Sequence, residues 1–145
     1  MTQVKVKRLT PDAIIPTYGT AGAACFDIAT TSDTHLLGIK QTVFDTGLSF
    51  EIPKAHVMLV FSRSGHGFKN DVRLSNCVGV IDEDYRGELK VKLINEHLSE
   101  DLVISKGDRI AQGMVLPIEQ VSFVEVDELS DTARGTGGFG STGVQ

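Results

Sequence analysis

The chain has 145 residues, the usual size of one domain, with 41% apolar and 23% charged residues and no Pro/Ser-rich linker to divide it. A net charge of −5, with no block of Lys or Arg, argues against a general nucleic-acid or membrane-surface binder. Cys25 and Cys77 show neither metal-ligand spacing nor a disulfide framework, the N-terminal residues lack a signal peptide's apolar core, and runs such as 57–61 are too short to span a bilayer, so a reduced, cytoplasmic protein is expected.

No long stretch carries helical periodicity; short apolar alternation broken by Gly, Asp, Asn or Pro recurs instead. Val4 and Val6 alternate with Lys5 and Lys7. In 24–29 one acid, Asp27, sits in an apolar neighbourhood, where an unpaired carboxylate is costly and calls for an Arg, backbone donors or a hydrated cation. Strands are predicted over 43–52 and 56–63, separated by Pro53-Lys-Ala55. The run Met58-Leu-Val-Phe61 is apolar throughout, as suits a core strand or one lying against another subunit. It leads into Arg63-Ser64-Gly65, where a guanidinium, a hydroxyl and glycine N–H groups meet as they would around a phosphate, although an ordinary surface turn has the same residues. A short helical turn is predicted over 65–70.

Residues 79–82 form an extended apolar run ending in Asp82, and Glu83-Asp84-Tyr85-Arg86-Gly87 reads as a tight turn back into 89–93. The expectation is a β-hairpin with three consecutive carboxylates at its tip. A plain polar turn explains the Asp and Gly residues but not Tyr85, a large ring where sterics favour something small. Val91 and Leu93 alternate with Lys90 and Lys92, and further strands are predicted over 102–104, 109–117 and 121–126. Between them, Gly107-Asp-Arg-Ile-Ala-Gln112 combines a turn with charged and amide groups. Many short strands with almost no helix predict an all-β fold, a jelly-roll-type barrel or sandwich.

The last residues, Arg134-Gly-Thr-Gly-Gly-Phe-Gly-Ser-Thr-Gly143, hold five of the 15 glycines and cannot bury themselves, so on their own they should be mobile. Their contents are nonetheless those of a ligand clasp. Glycine N–H groups approach an anion closely, Ser141 and Thr142 add hydroxyl donors, Arg134 a fixed positive fork, and Phe139 a face to stack on. A lid that orders over a nucleotide is predicted, in preference to an inert terminus.

Taken in order, Asp27 within 23–29, Arg63-Ser64-Gly65, Gly79-Val-Ile-Asp-Glu-Asp-Tyr-Arg-Gly87, Gly107–Gln112 and the terminal Gly-rich segment resemble the five motifs of the trimeric dUTP diphosphatases (dUTPases). The resemblance runs from about residue 16 to the C-terminus. It implies a jelly-roll β-barrel over 1–128, a flexible C-terminal arm over 129–145, and a homotrimer with active sites at the subunit interfaces. It also implies hydrolysis of dUTP to dUMP and pyrophosphate, which lowers dUTP and supplies dUMP for thymidylate synthesis. By the same resemblance Asp82 is the general base for water attacking the α-phosphorus. Asp27 would help to place, through water, a Mg²⁺ held mainly by the triphosphate. Ser64 and Gly65 would meet phosphate, with Arg63 beside them, and Gln112 would lie near the phosphate chain. Asn76, Gly79, Val80, Ile81 and the backbone of Lys90 would read uracil, and Tyr85 would pack on the deoxyribose. Phe139 would stack on the base, with Arg134, Gly140, Ser141 and Thr142 around the phosphates.

One departure is Gly113, where a bulkier apolar residue is expected; it would loosen the strand or admit a neighbouring side chain. The related deoxycytidine triphosphate deaminases carry a catalytic Glu seven residues after the hairpin aromatic, a position held here by Lys92. A reading of a different class is a non-enzymatic jelly-roll protein: a structural trimer would leave the tail's composition without a use, whereas a regulatory, partner-binding role could coexist with activity.

Overall fold

The computed structural model describes residues 2–138 and Ser141. Its elements are β1 (Lys5–Arg8), β2 (Thr17–Tyr18), β3 (Phe26–Ala29), β4 (Thr34–Leu36), β5 (Gln41–Glu51), β6 (His56–Phe61), α1 (Ser64–Asn70), β7 (Val72–Leu74), β8 (Val78–Ile81), β9 (Glu88–Asn95), β10 (Leu102–Ile104) and β11 (Arg109–Pro117). The all-β expectation holds, and β10 and β11 have the predicted limits. β6 stops at Phe61, two residues early, because the chain turns through Ser62 and Arg63 into α1.

All pairings are antiparallel, in a four-stranded sheet of order β1-β5-β9-β7, a five-stranded sheet of order β2-β3-β11-β6-β8, and the small β10-β4 pair. The two large sheets share one core. Phe44 and Leu48 of β5 and Leu89, Val91 and Leu93 of β9 meet Ile28 of β3, Met58 and Val60 of β6, and Ile110 of β11. β9 shows why the sequence folds this way. Leu89, Val91 and Leu93 point inward while Lys90 and Lys92 point out, so a slip of one residue would bury lysines. Each such apolar side chain contributes about 1.5–3 kcal/mol on burial. β6 lies between β11 and β8 with Met58 and Val60 buried in the core, while Leu59 and Phe61 on its other face are half-buried.

Two expectations change. Residues 121–126 form no strand: Val121, Phe123 and Val124 are exposed, and the chain beyond Pro117 pairs with no sheet among the described residues. Period-2 alternation signals a strand only where a partner edge is available. Nor is the 79–93 segment a paired hairpin. β8 pairs with β6, whereas β9 pairs with β5 and β7, so the chain crosses from one sheet to the other between them.

Gly113 admits a neighbouring side chain, the second of the two outcomes expected for it. It stands opposite Phe26 of β3, and a Cβ on Gly113 would lie 2.7 Å from that ring. Phe26 in turn meets Tyr18 edge-on, with ring centroids 5.9 Å apart. An aromatic residue thus covers the glycine from the adjacent strand, in a pairing that rescues strand glycines. Gly113→Val should destabilise the fold by about 1–3 kcal/mol in urea titration, the usual cost of overpacking. Phe26→Leu in the same chain should recover part of that loss; strictly additive losses would show that the ring is not what the glycine accommodates.

Candidate active site

Two clusters of polar groups stand apart on the surface, one at the start of β11 and one between the two large sheets. The first is built on β3, β6 and β11. Gln112 of β11 stands opposite Asp27 of β3 on one side and Phe61 of β6 on the other, so the central strand sets the spacing of the cluster. The Asp27 carboxylate is divided between two guanidiniums: Arg63 Nε donates to Oδ1 at 2.8 Å and Arg109 Nη1 to Oδ2 at 3.0 Å. Of the partners the sequence allowed for Asp27, the structure supplies arginines.

Arg63 is turned inward. Besides Asp27, its Nη1 donates to the Arg109 carbonyl at 3.2 Å, leaving Nη2 without a partner among the described residues. The side chain expected to stand free beside an anion therefore also holds the cluster together. Gln112 Nε2 donates to the Ser62 carbonyl at 2.9 Å, and Ser62 Oγ accepts from the Leu74 N–H at 2.8 Å, which pins the turn into α1. At the head of that turn the N–H groups of Ser64 and Gly65 find no acceptor among the described residues, and a Cβ on Gly65 would meet nothing within 4 Å. Nothing in the chain crowds Gly65, so its smallness leaves open space above donors that an anion can occupy.

The second cluster follows from the crossing between sheets. β8 is the edge strand of its sheet, so half of its backbone groups face away from β6. β7 pairs with β9 only from Leu93 to Asn95, and just beyond it the Ser75 N–H donates to the Lys92 carbonyl at 2.8 Å, which leaves the backbone of Lys90 without a strand partner on that side among the described residues. Between them lies a cleft of about 260 Å³ lined by Val80, Ile81, Asp82, Tyr85, Glu88, Leu89 and Lys90. It continues into a second hollow of about 410 Å³ that includes Asn76 and Gly79. Two open strand edges line one slot, where a flat heterocycle can be read by backbone donors and acceptors. Gly79 keeps the backbones close there, since a Cβ would sit 3.2 Å from Val60 Cβ, a tight approach that β6 would have to yield to.

The three consecutive carboxylates part company. Glu83 accepts from the Ala55 N–H, Asp84 is exposed and does not line the cleft, and Asp82 is exposed on the cleft wall. The Asp82 carboxylate has no hydrogen-bond or ion-pair partner among the described residues, so both oxygens are free to accept. Its backbone carbonyl closes the turn by accepting from the Tyr85 N–H at 3.2 Å. Tyr85 Oη donates to the Glu88 carbonyl at 3.0 Å, and the ring lies over Gly87, where a Cβ would fall 2.4 Å from Oη.

Glu88 anchors the other wall. Its Oε1 accepts from the Gly47 N–H at 2.8 Å across the β5 bulge between Asp45 and Ser49. Its Oε2 lies 3.3 Å from Lys90 Nζ, which bonds Asp45 at 2.6 Å. Asp45 first, then Glu88, raise the Lys90 pKa above its ordinary value.

The structure brings these residues into two groups with no lining residue in common. Asp27, Arg63, Ser64, Gly65 and Gln112 form the corner; Asn76, Gly79, Val80, Ile81, Asp82, Tyr85 and Lys90 form the cleft. Arg134 closes on its own turn, donating from Nε to the Gly137 carbonyl at 2.9 Å, and the Ser141 N–H donates to Gly138 at 3.0 Å. Neither is hydrogen-bonded to the corner or the cleft. Phe139, Gly140 and Thr142 lie outside the described residues. Sequence reasoning passed over Gly87 and Glu88 as site builders, since a ring over a glycine and a carboxylate across a bulge leave no local pattern. It left Arg109 undecided between structural and catalytic.

Comparison with known proteins places the chain in a family. Residues 11–143 match the dUTPase family model. A deoxyuridine 5'-triphosphate nucleotidohydrolase of Nautilia profundicola is 45% identical over 141 residues, covering 97% of this chain and 99% of its own. The enzyme of the same name from Helicobacter hepaticus is also 45% identical, over 97% of this chain and 89% of its own. Among solved structures, the dUTPase of Staphylococcus bacteriophage 80alpha with dUPNHPP superposes with a TM-score of 0.90 at 29% identity, covering 99% of this chain and 100% of that one. The chain belongs to the dUTPase family.

Proposed function

We propose that the protein hydrolyses dUTP to dUMP and pyrophosphate, with water attacking the α-phosphorus and Asp82 as the general base. The observation that carries this reading is the unpartnered Asp82 carboxylate on the wall of a slot framed by two open strand edges. A general base must be free to accept a proton beside the reacting atom, and Asp82 is the carboxylate of its acidic run that is both unengaged and in the cleft. The open edges of β8 and of β9 at Lys90 can pair with uracil's N3–H and carbonyls while leaving no room for thymine's methyl group. Cytosine's amino group would meet a donor, leaving buried groups unpaired. Tyr85, set over Gly87, would pack on the deoxyribose where a 2′-hydroxyl would collide.

The corner would hold the phosphate chain, with Ser64 and Gly65 N–H groups and the remaining Arg63 nitrogen as donors and Gln112 fixing the turn. Among the described residues no three His, Cys, Asp or Glu side chains converge on a metal position, and both Asp27 oxygens already accept from guanidiniums. That donor set suits a Mg²⁺ brought in on the triphosphate, with Asp27 meeting its water shell; when bound, the ion would neutralise charge building on the leaving pyrophosphate. Arg134, Phe139, Gly140, Ser141 and Thr142 would close over base and phosphates and exclude bulk water.

Because corner and cleft share no lining residue within one chain, each site is proposed to combine the cleft of one copy with the corner of another in a homotrimer. The apolar side chains left exposed at 121–126 are consistent with association.

Purified protein offered each deoxynucleoside triphosphate with Mg²⁺ should convert dUTP alone, giving dUMP and pyrophosphate. Asp82→Asn should bind the nucleotide but turn it over at least ~10²-fold more slowly. Release of dUDP and inorganic phosphate, equal turnover of dTTP, or normal turnover by the Asp82 variant would each contradict the reading. For the sugar, Gly87→Ala should push the Tyr85 ring off its seat and lower the preference for dUTP over UTP by about tenfold. An unchanged ratio of kcat/KM values would mean that Tyr85 does not guard the 2′ position.

A further inference from the structure

α1 has no buried side chain, and its one large apolar residue, Phe68, is 92% exposed. His66, in its first turn, supplies a polar tether instead. Its Nε2 lies 3.1 Å from the Arg109 carbonyl; a carbonyl only accepts, so Nε2 carries the proton. The same carbonyl accepts from Arg63 Nη1 at 3.2 Å, and the Arg63 carbonyl accepts from the His66 N–H at 3.1 Å. With Asp27 bridging the two guanidiniums, the contacts close a ring through four residues: Asp27 to Arg63, Arg63 to His66 through the helix backbone, His66 to the Arg109 backbone, and Arg109 back to Asp27. His66 is the member whose side chain ties α1 to β11. Its Nδ1 is buried with no partner among the described residues, a cost the fold carries to keep the ring in place.

We propose that His66 is a positioning residue for the triphosphate corner: its hydrogen bond to the Arg109 carbonyl holds the Arg63–Asp27–Arg109 bridge in the geometry that receives phosphate. The inference rests on the proposed dUTP hydrolysis and adds a residue that touches no substrate. The cleft that receives the base contains none of the four residues, so the two halves of the ligand should respond differently.

The test measures affinity for dUpNHpp with Mg²⁺, and for deoxyuridine alone, in full-length wild type, His66→Leu and His66→Gln, with melting temperatures alongside. Gln places an amide nitrogen near the position of Nε2 and can keep the bond, whereas Leu keeps bulk and loses it. His66→Leu should bind dUpNHpp about five-fold more weakly, the worth of one net hydrogen bond, and deoxyuridine as wild type does. His66→Gln should stay within about two-fold of wild type for both, a smaller loss than that bond is worth. Equal affinities in all three proteins, or equal losses in both variants, would overturn the proposal. So would a matching loss for deoxyuridine, which would mark a general structural role. A wild type that binds deoxyuridine and dUpNHpp equally well, without hydrolysing dUTP, would remove the proposed function itself along with the inference.

Discussion

The carboxylate of Asp27, shared between Arg63 and Arg109, is the contact on which the polar architecture depends. Two guanidiniums brought this close repel each other unless an anion lies between them, and Asp27 supplies one from the neighbouring strand. Asp27 and Arg63 are largely sheltered, with side-chain exposures of 17% and 24%, so the attraction is less screened than in a surface pair. Through this bridge β3, the turn after β6 and the first residue of β11 are held as one unit. The open donors at Ser64 and Gly65 are a by-product of that rigidity, since a helix head anchored from below leaves its N–H groups pointing outward.

A second constraint acts between the sheets. The chain must pass from β8 in one sheet to β9 in the other, and the passage leaves both strand edges open around a cleft. Open edges are ordinarily a hazard, because they invite pairing with other chains. Here the turn between them is fixed by contacts that leave Asp82 unengaged. Glu83 is drawn to Ala55, Arg86 folds back on the Glu83 and Tyr85 carbonyls, and Tyr85 is held to Glu88 over Gly87. In the proposed function this is preorganisation: the base is read by backbone, and the unengaged carboxylate of Asp82 stands beside it.

Much of this was legible in the residues. Alternation over 90–93 marked part of β9, the strand predicted over 109–117 has the limits of β11, and the helical turn predicted over 65–70 lies within α1. The residues of the corner and the cleft were singled out by their chemistry and order, but their separation into two groups was not legible there. β2, β3, β4 and β7, at two to four residues each, were too short to show a period of two. Whether 79–82 and 89–93 pair with each other is a tertiary fact, since each finds a longer partner, β6 for one and β5 for the other. The inward turn of Arg63 and the tether of His66 depend on Arg109, more than forty residues away, and no local pattern reports them. Segment 121–126 failed in the opposite sense, with a clear pattern and no partner strand among the described residues.

The central claim, that the corner of one copy completes the cleft of another, is tested most directly by mixing two inactive proteins. Asp82→Asn lacks the proposed base but keeps the corner; Arg63→Ala keeps the base and loses the corner's bridge. After subunits are exchanged by mild denaturation and refolding together, hybrid trimers should contain some sites with an intact cleft from one chain and an intact corner from the other. The account predicts that dUTP hydrolysis returns on mixing, to a fraction of the wild-type rate. Exchanged trimers, confirmed by mass, that remain as inactive as either parent would show that each chain builds its site alone.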